Sequence, residues 1–217
     1  MLFADDIVLV DETKDGVNRK LELWRNTLES KGYKLSRMKT EYMHCEFRNT
    51  RHRYDGVVKL GEIEVLKVNH FRYLGSIIQN DGNIENDVTH RIQAGWKKWR
   101  SATVVICDRN VPTKLKGKFY RTAIRLAMLY GSECWAVKQQ QLHKMNVAKM
   151  RMLRWMCGKT RKDRIRNIEI QKQVGVAPID TKIRGRAVAV VWSLQRRPTN
   201  APTRKLYSIE TRRNSTR

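Results

Sequence analysis

Met1-Leu2-Phe3-Ala4-Asp5-Asp6-Ile7-Val8-Leu9-Val10 opens the chain, two adjacent carboxylates set inside a run that is otherwise apolar. Short runs of β-branched and aliphatic residues bounded by polar breaks read as buried strands, so Asp5 and Asp6 are predicted at the turn of a β-hairpin. Such a turn carries both side chains toward one end of a sheet. Hard cations such as Mg²⁺ take oxygen ligands, commonly one or two carboxylates plus substrate phosphates, and a metal pair held in that way drives in-line phosphoryl displacement. Asp also serves turns through its own side-chain hydrogen bonds. The residues alone therefore leave two readings of the pair open, a metal site and plain turn chemistry.

Working outward, Val17, Leu21, Trp24 and Leu28 recur at helical spacing, which predicts an amphipathic helix with Asp15 as N-cap and Gly32 just past its end. Alternation over 41–47 predicts a strand, with Lys39 in the link before it, and the Arg-rich stretch 48–53 reads as a loop. Val57–Leu60 and Ile63–Val68 flank Gly61-Glu62 as a hairpin, and Tyr73–Ile78 reads as one further strand closed by Asn80-Asp81-Gly82. Gly75 inside that strand marks either a close backbone approach or a bulge.

From Asn83 the pattern turns helical. Ile84, Val88, Ile92, Trp96, Trp99, Thr103 and Ile106 keep three- and four-residue steps, so both tryptophans are expected in the core. Pro112 suits the first position of a second helix, with Leu115, Phe119, Ala123 and Leu126 as its apolar face and Lys114, Lys116, Lys118, Arg121 and Arg125 around the rest. A third helix is predicted over Gln139–Met156, cored by Leu142, Met145, Met152, Leu153 and Met156 and stopped by Gly158. A dense basic cluster follows (Lys159, Arg161, Lys162, Arg164, Arg166), then a short helix at 165–174 and another from Pro178 through Leu194. The tail 198–217 is Pro-, Thr-, Asn- and Arg-rich with few hydrophobics and is expected to be disordered.

The formal charge is +24 over 217 residues. Residues 1–108 carry 18 Lys/Arg against 16 Asp/Glu, while 109–217 carry 27 against 5, so the excess lies almost wholly in the second half. A segment that basic points to a polyanionic partner, of which nucleic acid is the usual one; a solvated basic surface is the alternative. Cys45, Cys107, Cys134 and Cys157 are widely spaced, with no Cys-x-x-Cys pair, which argues against a zinc site and for a reducing compartment. The apolar start lacks a basic flank and is broken by two Asp, unlike a signal peptide. No apolar run nears the roughly 18 residues of a membrane span. An intracellular chain, nuclear or cytoplasmic, is expected.

Several motifs occur together and in order. Phe3-Ala4-Asp5-Asp6 flanked by apolar residues resembles the signature palm hairpin of reverse transcriptases. Lys31-Gly32-Tyr33-Lys34-Leu35-Ser36-Arg37-Met38-Lys39-Thr40-Glu41 is similar to the segment that follows this hairpin in LINE-type (non-LTR) retrotransposon polymerases. Phe71-Arg72-Tyr73-Leu74-Gly75 resembles their primer-gripping turn, and Leu129-Tyr130-Gly131-Ser132-Glu133-Cys134-Trp135 a stretch beyond the palm in plant elements. The resemblance implies RNA-directed DNA polymerisation, with Asp5 and Asp6 holding Mg²⁺, Lys39 assisting pyrophosphate departure, and Tyr73, Leu74 and Gly75 at the primer end.

It also implies an earlier palm strand with a further metal-binding carboxylate, yet only Met1 to Ala4 precede Asp5. Near the other end the match is poor until Arg196-Arg197-Pro198. The chain is thus expected to be a C-terminal piece of such a polymerase, inactive alone. The expected fold is α+β: a partial palm of hairpins and one helix at 1–79, thumb-like helices at 80–135, a basic helical extension at 136–197 and the tail. The expected partners are an RNA template and a DNA primer or duplex, with no membrane. Phosphates would be held by Lys97, Lys98, Arg100, Lys114, Lys118, Lys159, Arg161, Lys162 and Arg164. Two rival readings stand beside this one, a stand-alone basic nucleic-acid-binding module and an inert remnant of a decayed element.

Overall fold

The computed structural model describes residues 2–3, 6–45 and 56–198. Asp5, the loop 48–53 and the tail beyond Pro198 lie outside the described residues. The fold mixes helices with short strands, in two compact units, Met1–Asp87 and Val88–Arg217.

The first unit begins with the predicted hairpin. Strand β1 (Leu2–Phe3) pairs antiparallel with β2 (Asp6–Ile7), Phe3 opposite Asp6. Asp6 is therefore a strand residue, not part of the turn. Helix α1 (Lys14–Glu29) follows, and its cap is Thr13, two residues earlier than expected. Thr13 has extended backbone and its hydroxyl accepts from Gly16 N at 3.1 Å, which leaves Asp15 in the first turn, where its charge suits the helix dipole. Asp11 supports the cap by accepting from Thr13 N and pairing with Lys20 at 2.7 Å. The Lys20 hydrogen bond, with that from Thr13 N, holds the Asp11 carboxyl down to about 2. The helix ends as predicted at Gly32, where a left-handed backbone lets Tyr33 N reach Leu28 O and Gly32 N reach Glu29 O.

Beyond it, β3 (Glu41–Tyr42) pairs in parallel with β6 (Leu66–Lys67), and β4 (Lys59–Leu60) forms the predicted hairpin with β5 (Ile63–Glu64). The strand expected over 41–47 stops at Tyr42 among the described residues. Leu21, Val58, Leu60 and Val65 make the buried core, with Leu9, Val17, Leu35 and Tyr42 against it. The single strand expected over 73–78 is a hairpin instead. Strand β7 (His70–Tyr73) turns at Leu74-Gly75 into β8 (Ser76–Gln79), Tyr73 opposite Ser76. Both turn residues have positive φ, 48° and 80°, which is the two-residue turn whose twist matches the strands. Alternating apolar character ran straight through the turn because Leu occupies a position that usually goes to Asn or Gly.

The second unit is helical. Helix α2 (Glu85–Ser101), which begins within the first unit, ends short of the expected Ile106; the backbone breaks at Ala102 and resumes as α3 (Thr103–Ile106). Pro112 is the N-cap of α4 (Thr113–Phe119), not its first turn, with extended ψ. A π turn over Tyr120–Ile124 then leads into α5 (Arg125–Met128). The buried residues here are Lys116, Tyr120, Ile124 and Met128, whereas Leu115 is 55% and Leu126 50% exposed. Steps of four drift about 40° per step around an ideal α-helix. A π turn closes i to i+5 and takes up that drift, so a face with a uniform four-residue period stays inward. The expected face, one residue off, followed ordinary α-helical spacing and missed this.

Helix α6 (Gln139–Met156) has the predicted bounds, and Met145, Met152, Leu153 and Met156 are buried in its core face. Helix α7 (Asn167–Val174) starts two residues later than expected, and α8 (Ile179–Gln195) follows Pro178. A Cβ on Gly117 would collide with the Val174 carbonyl oxygen, so only glycine lets α4 meet α7 this closely. Cys45, Cys107 and Cys157 are free thiols, and no helix among the described residues is long and apolar enough to cross a membrane.

Candidate nucleic-acid interface

A groove lies within the second unit, where α6 runs out into the basic cluster. Arg151 and Trp155 are four residues apart on α6 and so share a face. Past Met156 the chain turns at Gly158, whose φ of 62° allows Lys159 N to bond Arg154 O at 2.8 Å and Gly158 N to bond Trp155 O at 3.1 Å. This paired closure of a helix C-terminus folds the basic segment back beside its own helix.

Arg154 then pins that segment. Its guanidinium donates to Thr160 O at 3.0 Å, to Ile165 O at 2.7 Å and to Asn167 Oδ1 at 3.0 Å. Inside the loop, Asp163 accepts from both the backbone and the hydroxyl of Thr160, and those two bonds hold its carboxyl below the usual range. Arg164 sits at φ 50° to complete the loop. The cluster that reads in sequence as a loose run of cations is a fixed loop with Lys159 and Arg161 at the groove.

The groove has a volume of about 640 Å³. Trp96 and Trp155 supply its aromatic wall; Arg151, Arg154, Lys159 and Arg161 supply its charge, with no carboxylate among the described lining residues. Trp96, Trp99 and Trp155 meet edge to face at centroid separations of 5.2 to 6.1 Å. Trp99 is buried as expected. Trp96 is only half-buried, and Trp155 is 59% exposed.

Of the nine cations expected to hold phosphates, Lys159 and Arg161 line this groove. Lys162 and Arg164 are exposed on the same loop, while Lys97, Lys98 and Arg100 are exposed on α2, and Lys114 and Lys118 on α4. Arg151, Arg154 and Trp155 were not singled out from the sequence. The four-residue spacing of Arg151 and Trp155 was available as a signal; the return of the loop, which makes Arg154 central, was not.

Other basic residues serve the fold. Lys116, expected on the surface, is buried and donates to Met156 O at 3.0 Å, at the end of α6. Arg121 donates to Gly175 O at 2.7 Å just past α7, and Arg186 to Leu129 O. Lys149 is 1% exposed, with Ala177 O at 3.4 Å; burial pulls its pKa down to about 8.

The residues expected at the metal, the pyrophosphate and the primer end fall in the first unit. Asp6 is exposed on β2, Lys39 is exposed in a turn closed by Lys39 N to Ser36 O at 3.1 Å, and Tyr73, Leu74 and Gly75 form the β7–β8 turn. Among the described residues no three Asp, Glu, His or Cys side chains come together, and Asp6 is the one described carboxylate of the expected pair. No protein-family model, curated protein or solved structure matches the chain.

Proposed function

We propose that the chain is a nucleic-acid-holding piece of a LINE-type RNA-directed DNA polymerase, and that what it does by itself is grip nucleic-acid phosphates through its second unit. The groove at the end of α6 supports this reading. It gathers Arg151 and Arg154 from α6 with Lys159 and Arg161 from a loop that Arg154 and Asp163 fix, and no carboxylate is among its described lining residues. A fixed loop loses little entropy when phosphates dock, so its charges contribute more than those of a disordered basic run. The polymerase lineage rests on the resemblance of the hairpin, primer-grip and Leu129–Trp135 motifs.

Titration of the full chain with a fluorescent duplex tests the reading. Affinity should fall with salt at a log–log slope of about −0.9 per phosphate contact. Changing Lys159, Arg161, Lys162 and Arg164 together to Gln should flatten the slope and weaken all duplexes alike, since phosphate contacts carry no sequence information. Absence of binding at low salt would remove the proposal in favour of an inert chain. A changed sequence preference with an unchanged slope would favour a base-reading module.

A further inference from the structure

We propose, building on the phosphate-binding reading above, that the groove at the end of α6 takes an unpaired polynucleotide strand, with a base stacked on Trp155 and its flanking phosphates on Arg151, Lys159 and Arg161. Uniform duplex clamping needs only charge. This groove has more than that. Trp155 keeps 59% of its surface exposed although it makes T-shaped contacts with Trp96 and the buried Trp99. Those edge contacts fix the orientation of the indole, and its exposed surface lies in a groove whose other wall is cationic. A solvent-exposed tryptophan held rigid among cations offers a stacking platform bordered by phosphate sites, the arrangement that binds single strands with little regard to sequence.

The dimensions favour an unpaired strand. A volume of about 640 Å³ falls in the range that small-molecule-sized groups fill, roughly 300–1,000 Å³, which accommodates an individual nucleotide. Bases inside a duplex are already stacked and offer no free face without unpairing, which costs energy. The cations that line the groove come from two elements. Arg151 lies one helical turn before Trp155 on α6, and Lys159 and Arg161 come from the returning loop. A backbone passing over the ring therefore meets positive charge from both the helix and the loop. Arg154 is a positioning residue, since its guanidinium is already bonded to Thr160 O, Ile165 O and Asn167 Oδ1.

The test compares, on the full chain, a twelve-nucleotide oligo-dT, an oligo-rU of equal length, an abasic strand of equal charge and a duplex, each across a salt series. The proposal expects oligo-dT or oligo-rU to bind about tenfold or more tighter than the abasic strand, the tighter of the two naming the natural strand. It expects Trp155→Ala to bring both down to the abasic level, and Trp155→Phe to keep most of the preference, since a phenyl ring still stacks. The wild-type comparison with the abasic strand needs no variant and so stands even if Trp155→Ala unfolds. Equal affinity for based and abasic strands, or a preference that survives Trp155→Ala in folded protein, overturns the stack while leaving phosphate binding intact. Failure of every ligand to bind at low salt overturns the phosphate reading itself.

Discussion

The two units differ in which side chains make most of their longer-range bonds to the backbone. In the first, carboxylate and amide oxygens of side chains accept from backbone N–H groups. Asp11 takes Thr13 N, Asn18 takes Lys59 N at 3.2 Å, Glu22 takes Gly61 N at 2.8 Å, and Asp87 takes Ile77 N at 3.1 Å. In the second, cations donate to carbonyls that helices leave open, Lys116 to Met156, Arg121 to Gly175 and Arg186 to Leu129, and Arg154 donates to the loop carbonyl of Ile165. Short strands expose N–H groups along their edges, whereas helix C-termini expose carbonyls. A strand-rich half thus uses acids, and a helix-rich half uses bases. Part of the contrast between a nearly neutral first half and a strongly basic second half is architecture, before any ligand is considered. A charge count alone overstates how many cations are free for phosphates.

The units also differ in depth of core, and this gives the largest measurable contrast. The first buries four apolar side chains in its cluster, and each of its sheets has two strands among the described residues. Isolated two-stranded pairings are marginal. The second unit wraps Tyr120, Ile124, Met145, Met152 and Leu153 almost completely. Amide hydrogen exchange should therefore give α6 protection on the order of a hundredfold or more above β4–β5 and β7–β8, because opening free energies follow local burial. Equal protection of the hairpins and α6 would break the comparison, and would mean the first unit draws stability from beyond its own core.

Inside the second unit, Lys149 sharpens the contrast between cations that bind and cations that cap. It is buried, and among the described residues it donates to Ala177 O at 3.4 Å, with the Asp180 carboxylate acting on it through its charge. Replacing a poorly paired buried charge with an apolar side chain of similar length is often stabilising, so Lys149→Met should raise stability by about 1–3 kcal/mol at neutral pH. Burial lowers the lysine's pKa from 10.5 to about 8 in the folded chain. Between those values the unfolded chain holds a proton that the folded chain has lost, so wild-type stability rises with pH there. The advantage of Lys149→Met should accordingly shrink as pH climbs from 8 toward 10.5. Tyr120, whose hydroxyl burial pushes up, acts in the other direction at high pH but is present in both proteins and cancels. Melting curves of the two proteins at pH 7 and pH 9.5 give the answer; an unchanged gap would mean that Lys149 is neutral already at pH 7 or stays charged throughout.

What the sequence made legible follows from how local each cause was. Helix α6 was read to its ends because its methionines and leucines keep one helical period and Gly158 closes it. The caps at Gly32 and Gly158 were local for the same reason. The β7–β8 hairpin was missed because Leu74 disguises a turn, and the inward face of α4–α5 because a π turn changes the period. The groove was half legible. Its loop cations stood out as a cluster, but Arg151, Arg154 and Trp155 acquire their roles only once the chain doubles back. Lys116 read as surface charge and Lys149 was not singled out, since nothing local marks a lysine that reaches a distant carbonyl.

The smallest expected effect probes the acid side of the comparison. Asn18 and Glu22, one turn apart on α1, accept from Lys59 N and Gly61 N and so tie the β4–β5 hairpin to the helix. Glu22 also binds Arg25 at 2.7 Å. The Gly61 N–H bond, then the Arg25 bond, hold the Glu22 carboxyl below its ordinary 4.5. A depressed carboxyl pKa contributes stability that is fully present above 4.5 and is lost as pH falls through the folded value. Glu22→Gln keeps an oxygen for Gly61 N but removes the charge, so it should cost about 1 kcal/mol or less near pH 7. The difference from wild type should close as the pH is taken down through the acid range. Chemical denaturation monitored at a first-unit amide, at pH 7 and again near pH 3, measures both. A cost that persists unchanged at pH 3 would show that the Gly61 tether depends on side-chain shape and not on charge, and would weaken the argument that strand-rich folds recruit acids for their open N–H groups.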